Sequence, residues 1–155
     1  MAAGITPQAG PARAEDLPRL VELLGVLFAQ EADFTPDPER QRRGLQAILA
    51  EPSLGSIHVA REGGAVIGMV VLLHTVSTAE GGRVAWLEDL VVDPACRGRG
   101  VGRLLLRHAI AEARAAGLLR LTLLTDADNA RARTLYASEG FAGSAMRPMR
   151  LSLRG

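Results

Sequence analysis

The sequence predicts a single α+β domain over residues 1–155: a mixed, mostly antiparallel central sheet of six to seven strands, flanked by about four helices. Three observations carry that expectation. Two stretches, Leu17 to Ala29 and Pro38 to Ala50, place apolar residues at helical spacing. Ile57 to Arg61 and Val66 to Thr75 form a hairpin pattern around Gly63-Gly64. A third strand-like run leads through a glycine-rich loop into a helix and then a further strand, a crossover that produces a parallel pair. At 155 residues the chain suits one full core, and no repeat, low-complexity tract or linker divides it.

In chain order, a short strand is expected near Ile5 to Gln8. In the first helix Leu17, Leu20, Val21, Leu24 and Leu27, with Phe28, fall on one stripe, and Glu15 and Asp16 suit its positive N-terminal end. Pro38 opens the second helix, whose apolar face is Leu45, Ile48 and Leu49. After the hairpin, Gly81-Gly82 marks a turn and Val84 to Val92 a strand, ended by Pro94, which cannot donate to a ladder. Gly98 to Gly102 opens a helix to about Ala116. Leu119 to Thr125 reads as a strand. Asp128 or Asn129 caps a helix to Glu139, with Gly140 as left-handed C-cap. Met146 to Leu153 reads as the last strand.

Hydrophobic residues at 48% and charged residues at 23% describe a soluble globular protein. No apolar run reaches the roughly 18 residues that span a bilayer. Met1-Ala2-Ala3-Gly4-Ile5 lacks the regions of a signal peptide, so a cytoplasmic protein without a membrane partner is expected. The net charge of +1 gives no reason to expect a nucleic-acid partner. All 18 basic residues are arginine, which reflects coding bias rather than function. The one cysteine, Cys96, excludes an intrachain disulfide and reads as an inert loop thiol, since no flanking pattern pairs it with His58, His74 or His108. Those scattered histidines also give no metal site.

The chemistry concentrates in residues 84–103. Apolar residues occupy both parities of Val84 to Val92, so both faces of this strand should be covered. Glu88 and Asp89 interrupt it side by side, which strict alternation places on opposite faces. A buried carboxylate needs a partner or a wet cleft, so each acid either pairs with an arginine or lines an active site. Next comes Arg97-Gly98-Arg99-Gly100-Val101-Gly102-Arg103. Alternating glycines let amide N–H groups converge on an anion, the helix that follows adds its positive end, and three arginines surround the loop. This pattern describes a phosphate site, against the alternative of a tight turn with surface arginines. Rival phosphate motifs fit badly: the dinucleotide fingerprint needs glycine where Arg103 stands, and the Walker motif needs a lysine this chain lacks.

The stretch Leu90-Val91-Val92-Asp93-Pro94-Ala95-Cys96-Arg97-Gly98-Arg99-Gly100-Val101-Gly102 resembles the core motif of the GNAT superfamily of N-acetyltransferases, through Arg97, Gly100 and Gly102. Asn129 to Phe141, with Tyr136 and Gly140-Phe141, resembles the second motif of that family. The likeness runs from about Ala14 to Leu153. It implies acetyl-CoA as cosubstrate and no metal. It also implies a parallel strand pair that splays open, with pantetheine on backbone groups of Leu90, Val91 and Val92, and the Leu90 N–H as oxyanion donor. Pyrophosphate would rest on Arg97, Gly98, Arg99, Gly100, Val101 and Gly102, with Arg103 in reach. Asn129 and Tyr136, seven residues apart on one helix face, would look along the cofactor, and Tyr136 resembles the tyrosine that protonates the departing thiolate. A phenol near pKa 10 is protonated at neutral pH and can donate.

An alkyl amine near pKa 10 must lose a proton before it attacks a carbonyl. Glu88 is the candidate base, because strict alternation gives it the parity of Leu90 and family members often place an acid there; burial would have to raise its pKa. Asp89 is then expected on the other face in a structural role. The helix-loop-helix from Leu17 to Ala50 should roof the acceptor. Glu31 and Asp33 of its loop either attract a cationic amine or belong to a solvated surface, and the Glu80 to Arg83 turn borders the same region. Two functions follow from the resemblance: direct acetyl transfer to a primary amine of a small molecule or protein, or non-catalytic acyl-CoA binding as a sensor or interaction module. A homodimer is compatible with either.

Overall fold

The computed structural model describes residues 4–154. Five strands form one sheet in the order β1-β2-β3-β4-β5: β1 (Gln8–Pro11), β2 (Gly55–Glu62), β3 (Ala65–Ser77), β4 (Gly82–Val92) and β5 (Leu121–Thr122). All neighbours are antiparallel except β4 and β5, which are parallel. Helices α1 (Leu17–Gln30) and α2 (Pro38–Ala50) cover one face, and α3 (Val101–Ala115) and α4 (Ala130–Ser138) the other.

Each face has its own core. Leu20, Leu23 and Leu24 of α1 and Leu45 of α2 pack on Ile57, Val59, Met69, Val71 and Val91. Val101, Leu105, Leu106 and Ala109 of α3 pack on Ala60, Val70, Leu72 and Leu87. The long central strands supply side chains to both cores, which explains the apolar residues at both parities.

Helix boundaries follow the sequence signals closely. Pro38 stands at the first turn of α2, and Asp37 caps it by accepting from the Arg40 N–H at 3.1 Å. Asn129 caps α4 by accepting from the Ala132 N–H at 3.1 Å. Gly140, at φ 100°, follows that helix.

The strands differ in three places. The first strand is Gln8–Pro11 rather than Ile5 to Gln8, because Gln-Ala-Gly-Pro becomes a strand only by pairing with residues 58–61 of β2. The strand expected from Leu119 to Thr125 narrows to Leu121–Thr122, which pairs with Ala85 and Trp86 of β4, three residues before the β4 bulge. The strand expected from Met146 to Leu153 is not formed, so the described residues form a sheet of five strands rather than six or seven. Pro148 removes a ladder donor from that segment, and β5 pairs over too short a length to template it. Its apolar side chains stand in solvent, Met149 at 95% exposure, and it is tied down through Arg150, which donates to Asp33 at 2.7 Å and lies over the Phe34 ring.

Candidate active site

The end of β4 runs into the loop that opens α3. At the loop that follows, the Asp93 N–H donates to the Ile67 carbonyl, and the Asp93 carboxylate accepts from the Ala95 N–H, both at 2.8 Å. Arg19 of α1 pairs with the same carboxylate and donates to the Val66 carbonyl at 2.9 Å. The entry to the glycine loop is thereby pinned to both β3 and α1.

Gly98 and Gly100 both lie in the left-handed region, at φ 77° and 78°, where a side chain would be strained. Neither has another atom within 4 Å of where a Cβ would stand, so the loop is open to an incoming group. Gly100 is the N-cap of α3, and the first amides of that 15-residue helix point out of its positive end. A concave row of main-chain N–H groups at a helix mouth fits a diphosphate.

The three arginines are not equivalent. Arg99 is paired with Glu62 of β2. Arg103 donates to Ser138 at 2.9 Å and to Glu139 at 2.5 Å, and Arg107 reaches the same Glu139 at 2.9 Å, clamping α3 to the end of α4. Arg97 has no side-chain partner among the described residues. Its charge acts on nearby Asp93, whose carboxyl is held low by the Ala95 N–H and by Arg19, with Arg97 the weakest influence.

Beyond the Trp86–Thr122 pair, β4 runs on to Val92 with no strand on its β5 side among the described residues. The open edge includes Leu90, Val91 and Val92 and leads directly into the glycine loop. Within it lies a bulge. Val71 faces Glu88 and Met69 faces Val91, so Asp89 and Leu90 together oppose Val70. Asp89 sits at φ 55°, the one non-glycine residue with positive φ among the described residues, at a cost of about 1–2 kcal/mol.

The bulge overturns the strict alternation assumed for Glu88 and Asp89. Leu87 packs on the α3 side, and after the bulge Leu90 and Val92 do so too, while Val91 joins the α1–α2 core. Glu88 and Leu90 therefore do not share a face. Asp89 is not set apart on the far side either. Its carboxyl is pushed up to about 7 by burial first, then by the charges of Glu88 and Glu31. Burial, Asp126, Glu88 and Asp33 raise Glu31 in turn, with Arg150 opposing. Four carboxylates from β4, the end of α1 and the loop before α4 thus converge.

Tyr136 completes the group. Burial raises its phenol pKa, with a further push from Glu31, so it stays protonated at neutral pH. Its ring packs edge-on to Phe141 at 5.9 Å, and its hydroxyl has no hydrogen-bond partner among the described residues. Asn129 stands just outside the helix, at φ −83° and ψ 75°, with its side-chain oxygen engaged in capping. The place of Asp126 and of Asp89 in this cluster was not foreseen from sequence. The signal available for Asp89 was its residue type, since aspartate is among the few side chains that tolerate the left-handed region.

An amide cradle, an open strand edge leading into it and a half-buried phenol beside converging carboxylates fit an acyltransferase that takes its donor from coenzyme A. Residues 18–141 match the acetyltransferase (GNAT) family, and the chain belongs to it. It is an acetyl-CoA-dependent N-acetyltransferase. Among its relatives, an IAA acetyltransferase of Azospirillum brasilense is 36% identical over 79% of this chain and 76% of its own length. An aminoalkylphosphonate N-acetyltransferase of Salmonella typhimurium is 30% identical over 88% of this chain and 85% of its own. Among solved structures, an integron cassette protein from the mobile metagenome of Cole Harbour Salt Marsh superposes with a TM-score of 0.82, at 28% identity, over 96% of this chain and 91% of that one.

Proposed function

We propose that the enzyme moves acetyl directly from acetyl-CoA to a cationic primary amine, without a covalent enzyme intermediate. The observation that carries this reading is the continuity of the open β4 edge with the glycine cradle. Pantetheine adds along Leu90, Val91 and Val92 as an extra strand would. The diphosphate lies on the amides of Gly98 to Gly102, with Arg97 its first charged partner and Arg99, Arg103 and Asn129 at the margin. The Leu90 N–H, beside the bulge, stabilises the developing oxyanion. Tyr136 donates its phenolic proton to the departing thiolate. The proton acceptor for the amine comes from the Glu88–Asp89 pair, Glu88 facing the side where Glu31 stands.

The acceptor's charge follows from the same cluster. Glu31, Glu88, Asp89 and Asp126 make a field that favours an ammonium group and disfavours an anion. The enzyme should therefore prefer simple alkyl amines and diamines over amines that carry a phosphonate or carboxylate beside the nitrogen. Thiol release from acetyl-CoA, measured with a panel of amines, tests this. Turnover is expected with cationic amines, falling at high salt as the field is screened. A panel in which no amine releases thiol above the hydrolytic background contradicts the reading.

A further inference from the structure

The apolar side chains of β4 are buried or half-buried, with one exception. Trp86, the single tryptophan of the chain, is 37% exposed, while Ala85 and Leu87 on either side are 1% and 3% exposed. Leu73 faces it from β3 and packs on the α1–α2 core, so Trp86 lies on that face of the sheet. The length of α1 explains why it is left uncovered. That helix starts beside the end of β4, where Arg19 pairs with Asp93, and it ends at Gln30. The next residue, Glu31, feels the charge of Glu88. The helix thus runs back along β4 from Asp93 to Glu88 and stops, and α2 packs over β2 instead. Trp86 is the next residue on the same face, two positions beyond the reach of α1.

Trp86 also stands at a fork. Trp86 and Thr122 are the last pair between β4 and β5, so the strand edge proposed above for the acyl donor opens immediately after it. Glu88 follows about 7 Å along the strand on the same face. The cross-strand neighbours of the indole, Leu73 and Thr122, carry no charge. Acids at one end and an uncharged aromatic floor at the other match an ammonium group that carries an apolar arm. We propose that Trp86 sets acceptor specificity: the apolar arm of a primary alkyl- or arylalkyl-ammonium lies on its indole while the ammonium faces Glu31 and Glu88. This rests on the acetyl-transfer reading and names the acceptor class within it.

The same geometry sets the arm's length and its character. With Glu88 about 7 Å away, the indole lies beyond a propyl chain and within reach of a hexyl chain. A second ammonium at the far end would gain cation–π attraction from the ring, but no acid stands among the cross-strand neighbours to pair with it. An apolar arm needs no such partner and covers exposed aromatic surface.

The test measures kcat/KM for propylamine, hexylamine and 1,6-diaminohexane in the wild-type enzyme, Trp86→Phe and Trp86→Ala. The ratio of hexylamine to propylamine is taken within each protein, so any loss of folded material cancels. A fully buried methylene is worth about fourfold in affinity, and one covered on a single side about twofold. The wild-type ratio should therefore be about eightfold, carried by KM. Trp86→Phe should keep most of it, and Trp86→Ala should bring it to about one. The diamine, equally long but charged at its far end, should gain little over propylamine. Because Trp86 is the single tryptophan, its fluorescence reads the same event without turnover. With CoA bound, hexylamine should move the wild-type emission to shorter wavelength as the indole is covered, and propylamine should not. A ratio that survives Trp86→Ala, or an emission unmoved by hexylamine well above its KM, overturns the assignment while acetyl transfer stands. A diamine preferred over hexylamine, with the preference lost in Trp86→Ala, overturns it as well, because the indole would then be a cation site. A wild-type protein that acetylates no amine overturns the reading beneath it.

Discussion

The two ends of the β4 edge are built on opposite electrostatic plans. At the coenzyme end, every acid has a basic or amide partner: Asp93 with Arg19 and Ala95, Glu62 with Arg99, Glu139 with Arg103 and Arg107. At the acceptor end, Glu31, Glu88, Asp89 and Asp126 crowd together, and among the described residues Arg150 opposes them at Glu31. A paired network rigidifies a site that always receives the same ligand. A cluster of like charges is costly, and the cost falls when a cation enters. On the function proposed above, the first end is prepared for an anion by backbone geometry and the second for positive charge.

Changes at the two ends should therefore fail differently. Gly100→Val has the largest expected effect. A β-branched residue at φ 78° is strained and screens the amides, so acetyl-CoA affinity should fall at least about 100-fold, or roughly 2.7 kcal/mol. Unchanged affinity by calorimetry would break the assignment of this end. Tyr136→Phe should lower kcat about 10- to 100-fold with little change in KM for acetyl-CoA, since a thiolate near pKa 8.5 leaves fairly well without help. Full activity would remove the phenol as acid.

Asp89→Asn sharpens the contrast through stability. The folded carboxyl titrates near 7 and the unfolded one near 3.9, so the native state binds more protons in between. Stability is then lost as pH rises from about 4 to about 7. Asparagine removes that loss. The variant should be more stable than wild type by about 1–3 kcal/mol at pH 8 and no more stable below pH 4, read by urea unfolding. Equal stability at pH 8 would show that like charges do not crowd this end. The smallest effect separates the arginines. Arg97→Ala should weaken CoA binding several-fold, and Arg99→Ala less, because Glu62 already holds Arg99 and exposed pairs are worth about 0–1 kcal/mol. The reverse order would mean that Arg99 leaves Glu62 for the phosphate.

The same contrast governs what could be read from the sequence. The coenzyme end is encoded locally: glycines at alternate positions, a helix at once after them, and Pro94 before them suffice to specify an anion cradle. The helices were equally legible, because Pro38 and Asn129 act within one turn of where they stand. The acceptor end is encoded by convergence. Glu31, Asp89 and Asp126 come from three separate elements, and no spacing connects them. The bulge at Asp89 defeated strict alternation, since one extra residue reverses every parity after it, and it needs a partner strand to be seen at all. The short first strand and the unformed last one failed for a related reason: strand formation in Gln8–Pro11 and in residues 146–153 is decided by what lies alongside.

The claim on which both ends depend is that the diphosphate of CoA sits on the amides of residues 98–102. Parallel titrations of the wild-type protein with CoA and with pantetheine, which keeps the thiol arm and lacks the diphosphate, test it most directly. CoA should bind with one site per chain, and pantetheine at least about 100-fold more weakly. Equal affinities for the two would place the binding energy elsewhere and contradict the account.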